Sequence, residues 1–145
     1  MKSKIIMFAI MILSFSAVNA QNWLTNFEEA KQIAKQDGKK IVMSFQGSDW
    51  CAPCIKLDHE FFSKTEFLTY SEAHFVMLKV DFPRRKKNRL SKEQTKHNNN
   101  LAEKYNQKGN FPLVVVLNDE GKLVGKTSYD EKITVSEFIQ KIENY

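Results

Sequence analysis

Lys40-Ile41-Val42-Met43-Ser44-Phe45-Gln46, followed closely by Ser48-Asp49-Trp50-Cys51-Ala52-Pro53-Cys54-Ile55-Lys56, is the stretch that decides how this chain folds. The first part is β-rich and largely apolar, the composition of a strand covered on both faces of a sheet. The second part holds the only two cysteines of the chain, three apart. A bridge across so short a loop stabilises little in the chain-entropy account, so a redox pair fits better than a structural staple. If Cys51 sits at the first turn of a helix, free N–H groups and the positive end of the helix dipole favour its thiolate. Cys51 then reads as the nucleophile and Cys54 as the cysteine that resolves it. An inert disulfide and a zinc or copper site are the competing readings. The latter lacks a second cysteine pair to complete a four-ligand structural site.

Working outward, Trp23, Phe27, Ala30, Ile33 and Ala34 recur at helical spacing upstream of the strand, with Asn26 or Thr25 as N-cap and Gly38 as the stop. Downstream, Ile55, Leu57, Asp58, Phe61 and Phe62 suggest a helix from Cys54 onward, and Ser63 with Glu66 gives a capping-box signal for another. His74 to Phe82 reads as a second central strand closed by Pro83. Arg84, Arg85, Lys86, Lys87 and Arg89 then form a solvated basic loop, and Ser91 with Gln94 opens a polar helix ending near Gln107. Asn98, Asn99 and Asn100 make that helix the weakest of the set. Leu113 to Leu117 is an apolar strand, 119–122 a turn, and Leu123 to Tyr129 the returning strand. Thr134 and Glu137 cap a last helix carrying Val135, Phe138, Ile139 and Ile142. Helices placed between strands require crossovers. The expected architecture is therefore α/β, a central mixed sheet flanked by helices, ending in an antiparallel hairpin and a helix.

The first twenty residues read as a cleavable export signal: Lys2 and Lys4, the apolar run Ile5 to Leu13, and the small-residue site Val18-Asn19-Ala20. The expected mature domain is 21–145, placed in the periplasm or outside the cell, where disulfides persist. The apolar run is shorter than the ~20 residues that cross a bilayer. Formal charge falls from +5 to +3 without Lys2 and Lys4, and much of the excess lies between Arg84 and Lys96. A local patch of that size does not imply nucleic acid. His59, His74 and His97 read as structural or surface residues, and no metal set is expected.

The element order, Trp-Cys-Ala-Pro-Cys between a strand and a helix, and Phe111-Pro112 before the apolar strand together resemble the thioredoxin superfamily. The likeness is strongest to exported single-domain thiol:disulfide interchange or isomerase-like proteins of Gram-negative bacteria. It spans essentially the whole mature chain. It implies a thioredoxin fold, with Cys51 as the exposed attacking cysteine, Cys54 as the buried resolving one, and no cofactor besides their disulfide. It also implies that Trp50 flanks the site, that Pro112 is a cis proline facing the cysteines, and that substrate pairs beside Pro112 like an added strand. Ala52-Pro53 is close to the Gly-Pro of reducing thioredoxins, so the implied activity is reduction of disulfides in exported proteins by a monomer recharged by a membrane electron donor. A disulfide isomerase and a non-catalytic binding or metallochaperone module are the alternatives. The family's buried acid is replaced by Ser44, and Met77 stands where its partner lysine is expected, with Lys79 read onto the other sheet face. Phe111 and Leu113 are bulkier than usual beside the proline, which bears on substrate preference.

Overall fold

The computed structural model describes residues 22–145, so the expected signal segment lies outside the described residues. Strand β1 (Lys40–Gln46) runs through the middle of a four-stranded sheet. On one side it pairs in parallel with β2 (Phe75–Asp81), and on the other antiparallel with β3 (Leu113–Leu117). The strand β4 (Leu123–Thr127) completes the hairpin with β3, giving the order β2-β1-β3-β4. The mixed sheet and terminal hairpin are those expected. The returning strand ends at Thr127, two residues before Tyr129.

Strand alternation divides the core. Ile41, Met43, Phe45, Val76, Leu78, Val80, Val115 and Leu117 face the helices α1 (Phe27–Asp37) and α4 (Lys92–Tyr105). Val42, Phe75, Met77, Val114 and Val116 face α2 (Ala52–Leu57), α3 (Thr65–His74) and α5 (Val135–Glu143). Ring upon ring fills this second layer: Phe62 lies 5.1 Å from Phe67 and 6.0 Å from Phe138, and Phe61 lies 5.0 Å from Phe138. Neighbours 61 and 62 both point inward because Asp58–Phe62 forms a π-helical turn, whose wider winding brings successive side chains toward one face.

Caps follow the sequence closely at three helices. The Asn26 side chain accepts from the Glu29 N–H, Ser91 from that of Gln94, and Thr134 with Glu137 forms a reciprocal capping box. Gly38 ends α1 with φ 65°, a conformation costly for residues with a Cβ. The Ser63–Glu66 box does not form. The Ser63 hydroxyl turns back to donate to the His59 carbonyl, closing the π turn, and α3 starts after Lys64 without a side-chain cap. His74 closes α3 rather than opening β2, its ring stacked on Tyr70 at 4.1 Å.

The asparagine run stays helical to Tyr105 because Asn98 is a tertiary tie. It is 2% exposed, donates to the Asp81 carbonyl at 2.8 Å and accepts from the Gln94 amide at 2.9 Å. His97 likewise accepts the Phe27 N–H at the start of α1, a structural role. Lys79 departs from the sequence reading. Two residues along a strand share a face, so Lys79 lies on the side of Met77, in register with Ser44, its ammonium 5.3 Å from the Trp23 ring.

Candidate active site

An antiparallel neighbour begins where its partner ends, so the register Phe45 with Leu113 puts Phe111 and Pro112 beside the exit of β1. The loop leaving β1 carries the cysteines. Both sequence-distant halves of the expected site therefore meet at one end of the sheet. Cys51 is the N-cap of α2, Ala52 and Pro53 are its exposed first residues, and the proline sits where a helix has no use for its missing N–H. Cys51 and Cys54 are joined in a disulfide, with Cα atoms 5.2 Å apart. The Cys54 N–H, unpaired within the helix, points at Cys51 Sγ at 3.3 Å. That bond strengthens when the sulfur carries negative charge.

Cys51 is not the exposed member expected. Each cysteine is 4% exposed, because in the closed pair each sulfur covers part of the other. The Phe111–Pro112 peptide is cis and Pro112 is buried, its carbonyl accepting from the Ser128 hydroxyl at 2.7 Å. Asn106 shapes the approach to it, donating to the Asn110 carbonyl and accepting the Asn110 N–H, both at 2.9 Å.

Trp50 is the half-buried wall between these parts. Its indole N–H donates to the Phe82 carbonyl at 2.7 Å, and its ring meets Phe111 edge-on at 5.5 Å. Phe82 in turn packs on Phe111 at 5.5 Å. The indole lies so close over Gly47 that a methyl there would stand 2.2 Å from Trp50 Cε2. Gly47 is thus a packing requirement of the site.

Two carboxylates hold the loop and escaped the sequence reading as structural ties. Asp81 accepts the Ser48 N–H at 2.9 Å and its hydroxyl at 2.6 Å. Asp49, half-buried, accepts the N–H groups of Arg84 and Arg85 at 2.9 and 3.0 Å and the Asn88 amide at 2.9 Å. Those donors, the Arg84 N–H foremost, hold its carboxyl below the usual carboxylate range. A short polar residue followed 35 positions later by backbone donors leaves no local signal. Ser44 is fully buried and donates to Gln46 Oε1 at 3.5 Å, so hydroxyl and amide occupy the strand where the family's acid was expected. Among the described residues no group of His, Cys, Asp and Glu gathers in the manner of a metal site, and no helix is long and apolar enough to cross a membrane.

A helix-capping disulfide beside a cis proline, on a mixed sheet covered by helices on both faces, defines a thioredoxin-type redox protein. A match to the Thioredoxin-like family covers residues 22–119, and the chain belongs to that family. It is 36% identical over 115 residues to the disulfide bond reductase DsbH of Chlamydia pneumoniae, covering 79% of this chain and 66% of that one. It is 31% identical over 99 residues to the thioredoxin-related protein DsbJ of the same organism, covering 68% of this chain and 27% of that one. The chain thus spans less than two thirds of the length of either relative. A solved structure described as DsbH oxidoreductase superposes with a TM-score of 0.79 at 30% identity, covering 87% of this chain and 84% of the other.

Proposed function

We propose that the protein is a thiol–disulfide oxidoreductase that reduces disulfides of exported proteins. The observation that carries the reading is the Cys51–Cys54 pair at the start of α2, walled by Trp50 and the cis Phe111–Pro112 segment. The reductase named among its relatives supports the direction, as does the Ala52-Pro53 dipeptide.

In the reduced protein the Cys51 thiolate, steadied by the Cys54 N–H, attacks one sulfur of a substrate disulfide laid along Phe111 and Pro112. The substrate S–S bond breaks, one substrate sulfur leaves as thiolate, and a mixed disulfide forms. Cys54 loses its proton and attacks Cys51 Sγ, expelling the second substrate thiolate and closing the Cys51–Cys54 bond. Two electrons and, after protonation, two protons pass to the substrate. With no acid at Ser44, the Cys54 proton leaves to water. A membrane dithiol donor returns the pair to its reduced form, and residues 1–20 direct the chain to the compartment where both partners reside.

Insulin reduction with dithiothreitol as electron source tests the reading. Cys51→Ser abolishes the activity, and Cys54→Ser accumulates a mixed disulfide visible on a non-reducing gel. Unchanged turnover in the Cys51 variant would sink it. Direction is read from the reduction potential against glutathione: a reductase lies near the thioredoxin value of about −270 mV, an oxidant near about −120 mV.

A further inference from the structure

We propose that the basic loop after β2 is a substrate-reading surface that favours disulfides flanked by acidic residues. The proposal rests on the oxidoreductase reading and adds the chemical class of its substrate. Arg84, Arg85, Lys86, Lys87 and Arg89 are five cations, all exposed. The three salt bridges among the described residues lie elsewhere, so none of these cations is held in an ion pair.

A solvated loop with these charges needs no particular conformation; this one has one. The single turn of 3-10 helix at Lys86–Asn88 is anchored from both sides by the three donors to Asp49, and Asp49 immediately precedes Trp50 and Cys51. The Arg84 guanidinium is stacked 3.8 Å above the Trp50 ring. Asp49 spends its oxygens on backbone N–H groups and an amide rather than on a guanidinium, so Arg85, Lys86 and Lys87 stay exposed while Arg84 lies on Trp50. The loop is therefore fixed against the active-site wall, and its charge lies where a substrate chain must pass to reach Cys51.

The surface continues along α4. A groove of about 610 Å³ is lined by apolar Phe82, Pro83 and Leu90 and by the three cations Arg89, Lys92 and Lys96 against one carboxylate, Asp81, which is engaged by Ser48. The other flank of the motif is balanced: the hollow beside Ala52 and Pro53 is lined by Lys56 and Lys132 together with Asp130 and Glu131. Of the two flanks of the motif, the Trp50 side thus carries the excess of positive charge; a separate hollow with Lys104, Lys108 and Lys126 lies beyond Asn110. An acidic polypeptide whose disulfide enters at Cys51 would lay its carboxylates over Arg84 to Lys87 and its apolar side chains in the groove. Nucleic acid and anionic lipid share the charge requirement but bring no disulfide to the adjacent Cys51.

The test compares two peptides with the same disulfide loop, one flanked by three glutamates and one by three serines. The second-order rate constant for their reduction is measured at low and high salt. The expected result is a preference of about tenfold or more for the acidic peptide at low salt, the lower end of the range for electrostatic steering, shrinking as salt rises. In Arg85→Glu/Lys86→Glu/Lys87→Glu the preference falls to one or inverts, whereas Lys141→Glu on α5 retains it. Equal rates for both peptides in the wild-type protein would overturn the proposal while leaving the oxidoreductase reading intact. Failure to reduce either peptide would overturn that reading itself. Equal peptide rates combined with capture by phosphatidylglycerol vesicles, lost in the triple variant, would assign the loop to a membrane surface and equally overturn the proposal.

Discussion

Gly47→Ala isolates the packing that holds the active-site wall. Gly47 is absent from the glycines with positive φ, so alanine meets no backbone penalty there. At a position without strain such a change would even stabilise by restricting the unfolded chain, by about 0.4–1 kcal/mol. The cost arises from one methyl group placed 2.2, 2.4 and 2.5 Å from Trp50 Cε2, Nε1 and Cζ2, well inside van der Waals contact. The indole must leave. With it go the hydrogen bond to the Phe82 carbonyl, the edge-on contact with Phe111 and the Arg84 stacking. Those are worth roughly 1, 0.5–1.5 and 0.5–1 kcal/mol respectively, and part is regained in water, so the expected net destabilisation is about 2 kcal/mol. Urea unfolding of the oxidised protein, followed by circular dichroism, reads this as a midpoint lowered by about 1 M for a slope near 2 kcal/mol/M. The same change in a Trp50→Ala background has nothing to displace and costs less than about 0.5 kcal/mol. Equal costs in the two backgrounds would refute the reasoning, because the penalty would then not pass through Trp50.

Two further outcomes follow from ties outside the motif. Asn98→Leu keeps the branching and heavy-atom count of the side chain but leaves the part-buried Asp81 carbonyl without its donor, so it lowers stability by about 1–3 kcal/mol. An unchanged unfolding midpoint would show that α4 is held without that bond. Tyr129 donates to the Glu60 carboxylate, and that bond, with burial and the negative charge of Glu60, Glu131 and Asp130, pushes its phenol up to about 12. The folded state then holds this proton more tightly than the unfolded one. Its stabilisation is complete below pH 10.0, the ordinary phenol value, and fades as pH rises through about 12. Phenolate absorbance should lose a late-titrating group in Tyr129→Phe. Loss of a group titrating near 10 instead would contradict the contact.

The dithiol, the strands and most caps were legible in the sequence because each is a local pattern. Apolar runs mark strands covered on both faces, and Ser91–Gln94 and Thr134–Glu137 carry their own hydrogen bonds. Local patterns also misled. The Ser63–Glu66 spacing lost to the π turn, where packing Phe61 and Phe62 into one core outweighs a cap. The asparagines looked unfit for a helix because the partner of Asn98, the Asp81 carbonyl, lies 17 residues away. Lys79 was misplaced through strand alternation, which the register with Ser44 corrects.

Sequence alone determined that Cys51 and Cys54 form a close pair at a strand-to-helix junction, since three-residue spacing and apolar periodicity are properties of the chain itself. Only the tertiary structure decided what surrounds that pair. Trp50 stands over Gly47 because Phe82 and Phe111 come from two other parts of the sheet, and the basic loop is an ordered rim because Asp49 reaches donors 35 and 36 residues later. Contacts between distant segments are fixed by strand order and register, which no single stretch of sequence records.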